Sequence, residues 1–280
     1  MAMSLLPSEA GTGIVFRRTD AAVEIAANWA NVVESTRCTV LSDGEGTNVG
    51  TVEHLMAALA GAAIDNAIVE LDGPEVPIMD GSSAPFVFLI ECAGVVEQDS
   101  PRRAIEIRKS VSVTADGAMA MLSPDDAFSM SFEIDFESPL IRHQDMSVVV
   151  DPGTFKSELA RARTFGLLDD VTRLQEAGLA RGGSLENVIV VSGDRVLNSG
   201  GLRYDDEFVR HKMLDAIGDL YLAGAPIIGH FRGVRSGHAH TRRLLAALFD
   251  DPAAWTYTTS APAGWPLALD RQADRQRACA

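Results

Sequence analysis

In the stretch Glu207 to Leu220, His211, Asp215 and Asp219 recur at four-residue spacing. A His and an Asp four apart on one helical face can close on a single metal ion. Val209, Met213, Ile217 and Leu220 recur in the same stretch at three- and four-residue spacing, so a helix here has one apolar stripe to bury. Two residues of offset is about 200° of rotation, which sets the imidazole and the two carboxylates on the face opposite that stripe. Polar pairs at this spacing are also common on ordinary solvated helix faces.

Thr51 to Gly61 predicts a second amphipathic helix, with Val52, Leu55, Met56 and Leu59 as its apolar stripe. Thr51 is its expected N-cap and Gly61 its expected C-terminal stop. Glu53 and His54 stand side by side in the first turn. Such a pair can supply one metal ligand and one carboxylate beside the metal, but alone it reads as a capping carboxylate next to a surface His. With His211 and Asp215 it completes two His and one carboxylate, a set that suits hydrolytic zinc and also non-heme iron. Ser236 to His240 adds two imidazoles, His238 and His240, at i,i+2. In an extended segment both fall on one side, and by residue type they are an equally good ligand pair.

Six segments, TVEHLMAALAG, IDNAIVELDGPEVPIMDGSSAPF, ARTFG, GGSLENVIVV, VLNSGGLRYDDEFVRHKMLDAIGDLYLAG and SGHAHT, occur in this order. They resemble the UDP-3-O-acyl-N-acetylglucosamine deacetylase (LpxC) family from about Gly11 to about Phe249. The resemblance implies a zinc amidohydrolase, cytoplasmic in Gram-negative bacteria, that removes acetate from an acylated UDP-amino sugar at the committed step of lipid A synthesis. It implies an α+β fold of two similar halves, each a layer of helices on a sheet, with the active site in the cleft between them. It also implies the metal ligands His54, His211 and Asp215, holding one Zn2+, or Fe2+ in the cell.

The resemblance further implies that Glu53 takes the proton from the attacking water. His238 protonates the leaving amine and is held by Asp219, while His240 receives no role. Thr164 corresponds to the family hydroxyl that polarises the substrate carbonyl and holds the oxyanion. Lys212, about 100° around the helix from His211, corresponds to a lysine near the substrate diphosphate and is counted with Glu53, His238, Thr164 and Asp219 among the catalytic residues. Phe136 corresponds to the aromatic that stacks on uracil, and Phe165 joins Phe136 and Lys212 as substrate-binding. The stretch from Leu167 to Val191 corresponds to an insert that builds an acyl passage, although Leu167, Leu168, Val171, Leu174 and Leu179 read equally well as core. The family's usual first strand and its Gly-Leu-His-(Ser/Thr)-Gly loop precede the segment matching Gly11 to Arg18, so this chain is expected to start about one hairpin late. A missing strand would open a sheet edge. That loss keeps a non-catalytic sugar-nucleotide-binding homologue as the alternative, against which the intact Glu53 and His238 argue.

The rest of the chain fits this reading. Its 280 residues allow a substantial core. A formal net charge of -15 argues against nucleic-acid binding and against a polybasic grip on anionic lipid. Cys38, Cys92 and Cys279 are widely spaced with no CxxC pair, so neither a disulfide framework nor a thiolate metal site is expected. No run approaches the roughly 18 apolar residues of a spanning helix, so no membrane insertion is expected; the protein should be a cytoplasmic monomer.

The elements expected to position these residues are strands at Gly13 to Arg18, Ala22 to Ala27, Ser35 to Leu41 and Asn66 to Leu71, with a helix from Ser83 to about Ala93. Glu97 to Arg103 is the expected linker, dividing the chain into a first half over 1–100, with Glu53 and His54, and a second over 101–280, with the insert and the His211/Asp215 helix. Beyond it, strands are expected at Ala104 to Val113, Met119 to Leu122, Phe128 to Phe136 and Asn187 to Val191. Helices are expected at Phe155 to Ala162 and Leu167 to Glu176 and from Glu207. Loose alternation of strand and helix makes the class α+β.

Overall fold

The computed structural model describes residues 1–35, 37–176 and 182–259. In chain order the first half runs β1 (Met3–Pro7), β2 (Ile14–Arg18), β3 (Val23–Ala26), β4 (Val32–Val33), β5 (Val40–Ser42), β6 (Asn48–Val49), α1 (Glu53–Gly61), β7 (Ala67–Leu71) and α2 (Ala84–Ala93). One sheet has the order β1-β7-β2-β3 and a small second sheet the order β4-β5-β6. Strict alternation in β2 turns Ile14 and Phe16 inward, where they meet Ile25, Val69 and Leu71 from the neighbouring strands.

The second half runs β8 (Ala104–Ile107), β9 (Val111–Ala115), β10 (Ala118–Ser123), β11 (Phe128–Asp135), β12 (His143–Val149), α3 (Pro152–Thr154), β13 (Phe165–Leu167), α4 (Leu168–Glu176), β14 (Ile189–Ser192), β15 (Arg195–Val196), α5 (Glu207–Tyr221), β16 (Ile227–Val234), α6 (His238–Asp250) and β17 (Trp255–Thr258). Its main sheet has seven strands in the path β12-β11-β16-β10-β9, with β8 and β17 extending it from β16. Strands β13, β14 and β15 form a separate small sheet; α4 and most of β14 fall in the stretch Leu167 to Val191 that was expected to be an insert. The chain is thus an α+β protein of sheets covered by helices.

Several expectations are corrected. Met3–Pro7, not expected to form any element, pairs antiparallel with β7 and is an edge strand. Ser35 to Leu41 is not one strand: only Val40–Ser42 is extended and paired, and Thr36 lies outside the described residues. Ala104 to Val113 is two strands, broken where the amides of Arg108 and Lys109 turn to the Ala254 carbonyl. The helix expected at Phe155 to Ala162 is the short α3 followed by a π turn over Phe155–Leu159. In α1, Thr51 has φ 57 and donates its hydroxyl to Glu75, so it is not the N-cap. Gly61 is the last residue of α1 rather than a stop beyond it, and close packing explains it: a Cβ there would lie 2.0 Å from the Phe155 ring.

The two halves meet through their helices. The apolar stripe of α1 (Val52, Leu55, Met56, Leu59) is buried as expected, but so are Glu53, His54, Ala57 and Ala58 on its other faces. That second face packs against α5, where Gly218 lets the backbones touch: a Cβ on Gly218 would lie 2.0 Å from the Glu53 carbonyl oxygen. Trp29 of the first half stacks on Phe249 of α6 at 5.2 Å between ring centroids. Among the described residues no helix is long and apolar enough to cross a membrane, and Cys38 and Cys92 are free thiols; Cys279 lies outside the described residues.

Candidate active site

The crossing of α1 and α5 brings His54, His211 and Asp215 together, all buried. Each offers a ligand atom, and these atoms lie within 4.8 Å of one another. Asp215 Oδ1 stands 3.3 Å from His211 Nε2 and 3.5 Å from His54 Nε2. It has no hydrogen-bond partner although it is fully shielded from solvent. An orphaned buried carboxylate oxygen is costly, and one facing two imidazole nitrogens fits a bound cation. The other oxygen, Oδ2, accepts from Lys212 Nζ at 2.9 Å.

The ionisation states suit ligands. Burial lowers the His211 pKa to about 4, against the pull of Asp215, so its ring is neutral at pH 7. Its Nδ1–H donates to the Ala162 carbonyl at 3.1 Å, which leaves the Nε2 lone pair facing the cluster. Burial alone would raise the Asp215 carboxyl, but His211 and Lys212 outweigh it and hold it well below the usual carboxylate range. Lys212 is likewise opposed by burial, and the charge of Asp215 raises it above the ordinary lysine value. The Lys212 ammonium, expected near a substrate diphosphate, is engaged by Asp215, and the side chain lines a narrow cleft with Asp219, Ser236 and His238.

Glu53 and His238 border this cluster. Burial raises the Glu53 carboxyl above the ordinary glutamate value, against the pull of His238 and His54. Its Oε2 accepts from the Thr39 amide at 3.0 Å, and its Oε1 lies 3.9 Å from His238 Nε2. His238 Nδ1–H donates to Asp219 Oδ2 at 2.8 Å. Burial opposes the charged form of His238, yet Asp219, by charge and by hydrogen bond, raises its pKa to about 9. His238 is therefore an imidazolium at neutral pH. His238 and His240 do not share a side, because α6 starts at His238 and two helical residues are about 200° apart. His240 instead faces the Ala115 carbonyl at 3.2 Å.

Thr164 and Phe165 follow the Ala162 carbonyl that holds His211. This segment is fixed by Glu207, whose buried carboxylate accepts from Arg163 N at 3.0 Å, Nε at 2.9 Å and Nη2 at 3.1 Å and from Arg203 N at 2.5 Å. Thr164 N donates to the Gly81 carbonyl at 2.8 Å. Gly81 has φ +83, and a Cβ there would lie 1.9 Å from the Asn187 carbonyl oxygen, so only glycine lets this first-half loop dock on the insert. Phe165 meets Phe136, Phe208 and His211 edge to face at 5.6, 4.9 and 6.3 Å between centroids. Phe136 and Phe165 thus form one aromatic wall beside a metal-site imidazole. In the insert, Leu168 is exposed and Leu167 and Val171 are half-buried, so these three are not closed core. Leu179 and the side chain of Leu174 lie outside the described residues.

Thr39 and Glu207 belong to the site and are absent from the expected set. In the sequence Glu207 marks only the start of the expected helix, and Thr39 lies in a segment read as strand. No local pattern marks the Arg163–Glu207 pair: Arg163 stands between Ala162 and Thr164 and Glu207 between Asp206 and Phe208, and only the fold brings the two charges together.

An α+β chain whose buried His54, His211 and Asp215 could hold a metal, with a buried carboxylate on one side and a charged imidazole on the other, has the groups that a metal-dependent hydrolase uses. The family model for UDP-3-O-acyl N-acetylglycosamine deacetylase (LpxC) matches residues 1–250, and the chain belongs to this family. It is 51% identical over 261 residues to the UDP-3-O-acyl-N-acetylglucosamine deacetylase of Chromohalobacter salexigens, covering 92% of this chain and 86% of that one. It is 50% identical to the enzyme of the same name from Nitrosococcus oceani over 261 residues, with the same shares covered. The enzyme of that name from Acidithiobacillus ferrooxidans is 49% identical over 271 residues, covering 95% of this chain and 89% of that one. The chain is accordingly a deacetylase, a hydrolase acting on an amide.

Proposed function

We propose that this chain is a zinc-dependent deacetylase that hydrolyses the N-acetyl group of UDP-3-O-acyl-N-acetylglucosamine to acetate and the free amine, in lipid A biosynthesis. The observation that carries the reading is the unpartnered Asp215 Oδ1 facing His54 Nε2 and His211 Nε2, with Glu53 and His238 alongside. His54, His211 and Asp215 hold the metal. When bound, a divalent cation there supplies a Lewis acid for the amide carbonyl and acidifies a water.

The side chains do the rest. Glu53, ionised, takes a proton from the attacking water; its Oε2 is fixed by the Thr39 amide. Thr164 donates its hydroxyl to the oxygen that gains negative charge in the tetrahedral state. His238, charged at neutral pH and steadied by Asp219, gives its Nε2 proton to the departing amine, which could not leave as an anion. Phe136 and Phe165 present an aromatic surface for the uracil, and Lys212, its ammonium held by Asp215, adds positive charge to the cleft that takes the substrate. The half-buried and exposed apolar residues of the insert, Leu167, Leu168 and Val171, offer a surface for the acyl chain.

The test is acetate release from an acylated UDP-N-acetylglucosamine by the purified chain, before and after chelation and after return of one equivalent of zinc, with Fe2+ in parallel. Release that survives complete metal removal would sink the metal assignment. Release from simple N-acetyl sugars at the same rate would sink the substrate.

A further inference from the structure

Glu53 comes from α1 in the first half, whereas Asp219 and His238 come from α5 and α6 in the second. A proton acceptor and a proton donor carried by helices far apart in the chain need something to keep them in register. Thr39, just before β5, touches both sides. It is buried; its N–H donates to Glu53 Oε2 at 3.0 Å, and its carbonyl accepts from Val52 N at the start of α1 at 3.4 Å. Its hydroxyl lies 2.5 Å from Asp219 Oδ1 and 3.2 Å from His238 Nδ1. An ionised carboxylate only accepts, so the hydroxyl proton goes to Asp219. The hydroxyl oxygen is left facing the Nδ1–H that Asp219 Oδ2 also accepts.

We propose that Thr39 is the positioning residue that locks the Glu53 carboxylate to the Asp219–His238 pair, its amide fixing the first and its hydroxyl the second. Nδ1 of His238 is pinned between two acceptors, so Nε2, 3.9 Å from Glu53 Oε1, is the nitrogen that exchanges the catalytic proton. Thr39 does not touch the reacting atoms. It sets the distance and direction between the two groups that do, and a small misplacement of such groups costs rate steeply. The inference rests on the proposed proton roles of Glu53 and His238.

Thr39→Val keeps the amide and the shape and removes only the hydroxyl, Thr39→Ala removes it without added bulk, and Thr39→Ser keeps it. With one zinc per chain confirmed by elemental analysis, kcat on an acylated UDP-N-acetylglucosamine is expected to fall about 10- to 100-fold in Thr39→Val and Thr39→Ala, the loss typical of one hydrogen bond to a charged group. KM should move less than about threefold, since no substrate contact is lost. Thr39→Ser should recover most of kcat. In an Asp219→Asn background, Thr39→Val should cost much less than in the wild type, because the two changes break one linkage.

Wild-type kcat in Thr39→Val, a Thr39→Ser as impaired as Thr39→Ala, or full additivity with Asp219→Asn would each overturn the proposal. Should the valine variant not fold, the serine and alanine pair decides it alone. Glu53→Ala and His238→Ala run alongside: wild-type turnover in either overturns the proton roles themselves, whatever Thr39 does.

Discussion

Gly218 of α5 lies directly against the carbonyl of Glu53 in α1, so close that any Cβ would fall within 2.0 Å of that oxygen and 3.1 Å of Ala57 N. Backbone rather than a flexible side chain is the obstacle, so the helices themselves must part to admit a methyl group. Gly218 sits three residues beyond Asp215, and the separation would be felt where His54 meets His211 and Asp215. Gly218→Ala is expected to destabilise the fold by about 1–3 kcal/mol, as overpacking does, although alanine is the better helix former. Zinc affinity should fall with it. Thermal denaturation and chelator competition measure the two effects; an unchanged melting point would mean that the helices slide at little cost.

Removal of the ligands separates metal binding from folding. His211→Ala and Asp215→Ala should each weaken zinc binding, measured by chelator competition, and abolish deacetylation. Glu53→Ala should keep one zinc per chain, because Glu53 is beside the cluster and not in it, while turnover falls by roughly 10²- to 10⁴-fold. Full zinc occupancy with unchanged affinity in both ligand variants would remove those residues from the set.

The pH dependence of kcat/KM has a sign that the geometry fixes. His238 must carry a proton to donate it, so activity is present below its pKa and is lost as pH rises through about 9. Asp219 is the largest influence holding that value up. Asp219→Asn removes the charge and leaves burial unopposed by it, so the alkaline limb should move from about 9 toward the ordinary histidine range. The limb can belong to a coupled set of groups, and His238→Ala at confirmed zinc occupancy resolves the ownership. An alkaline limb unmoved in both variants would assign it to another group.

Of the cluster His54, His211 and Asp215, spacing alone marks only the His211–Asp215 pair on one face of α5; the choice of His54 over His238 and His240 comes from the family resemblance. What that polar face meets is left open by spacing. A polar face opposite an apolar one ordinarily meets water, yet here both are buried because two such faces pack on each other through Gly218. The strand β16 was missed for a related reason. Gly229 and Gly233 weaken its strand pattern, but a Cβ at either would come within 2.6 Å of Ile107 or Phe132. Those glycines are required by neighbours that no local window contains. The helix α6 was hidden behind the two imidazoles of Ser236 to His240, which drew attention as a ligand pair rather than as a helix start.

Glu207 gives the last prediction. It is buried with Arg163, and between them run the hydrogen bonds that fix the segment Ala162 to Thr164. Ala162 in turn accepts from His211 Nδ1 and so fixes which nitrogen faces the metal. Glu207→Gln keeps the shape but leaves the buried Arg163 guanidinium without its counter-charge, which costs about 3–5 kcal/mol. It also loosens a partner of a ligand imidazole, and such partners are worth about 10- to 100-fold in metal affinity. The two effects can be told apart with Glu207→Leu combined with Arg163→Met, since replacing a buried ion pair by apolar residues is often neutral or stabilising. The double variant should regain much of the melting temperature lost in Glu207→Gln. Its zinc affinity should stay low, because the Arg163 side-chain and amide bonds that held the Ala162 carbonyl in place are still missing. Recovery of stability and zinc affinity together would show that Glu207 supports the fold alone and has no hold on His211.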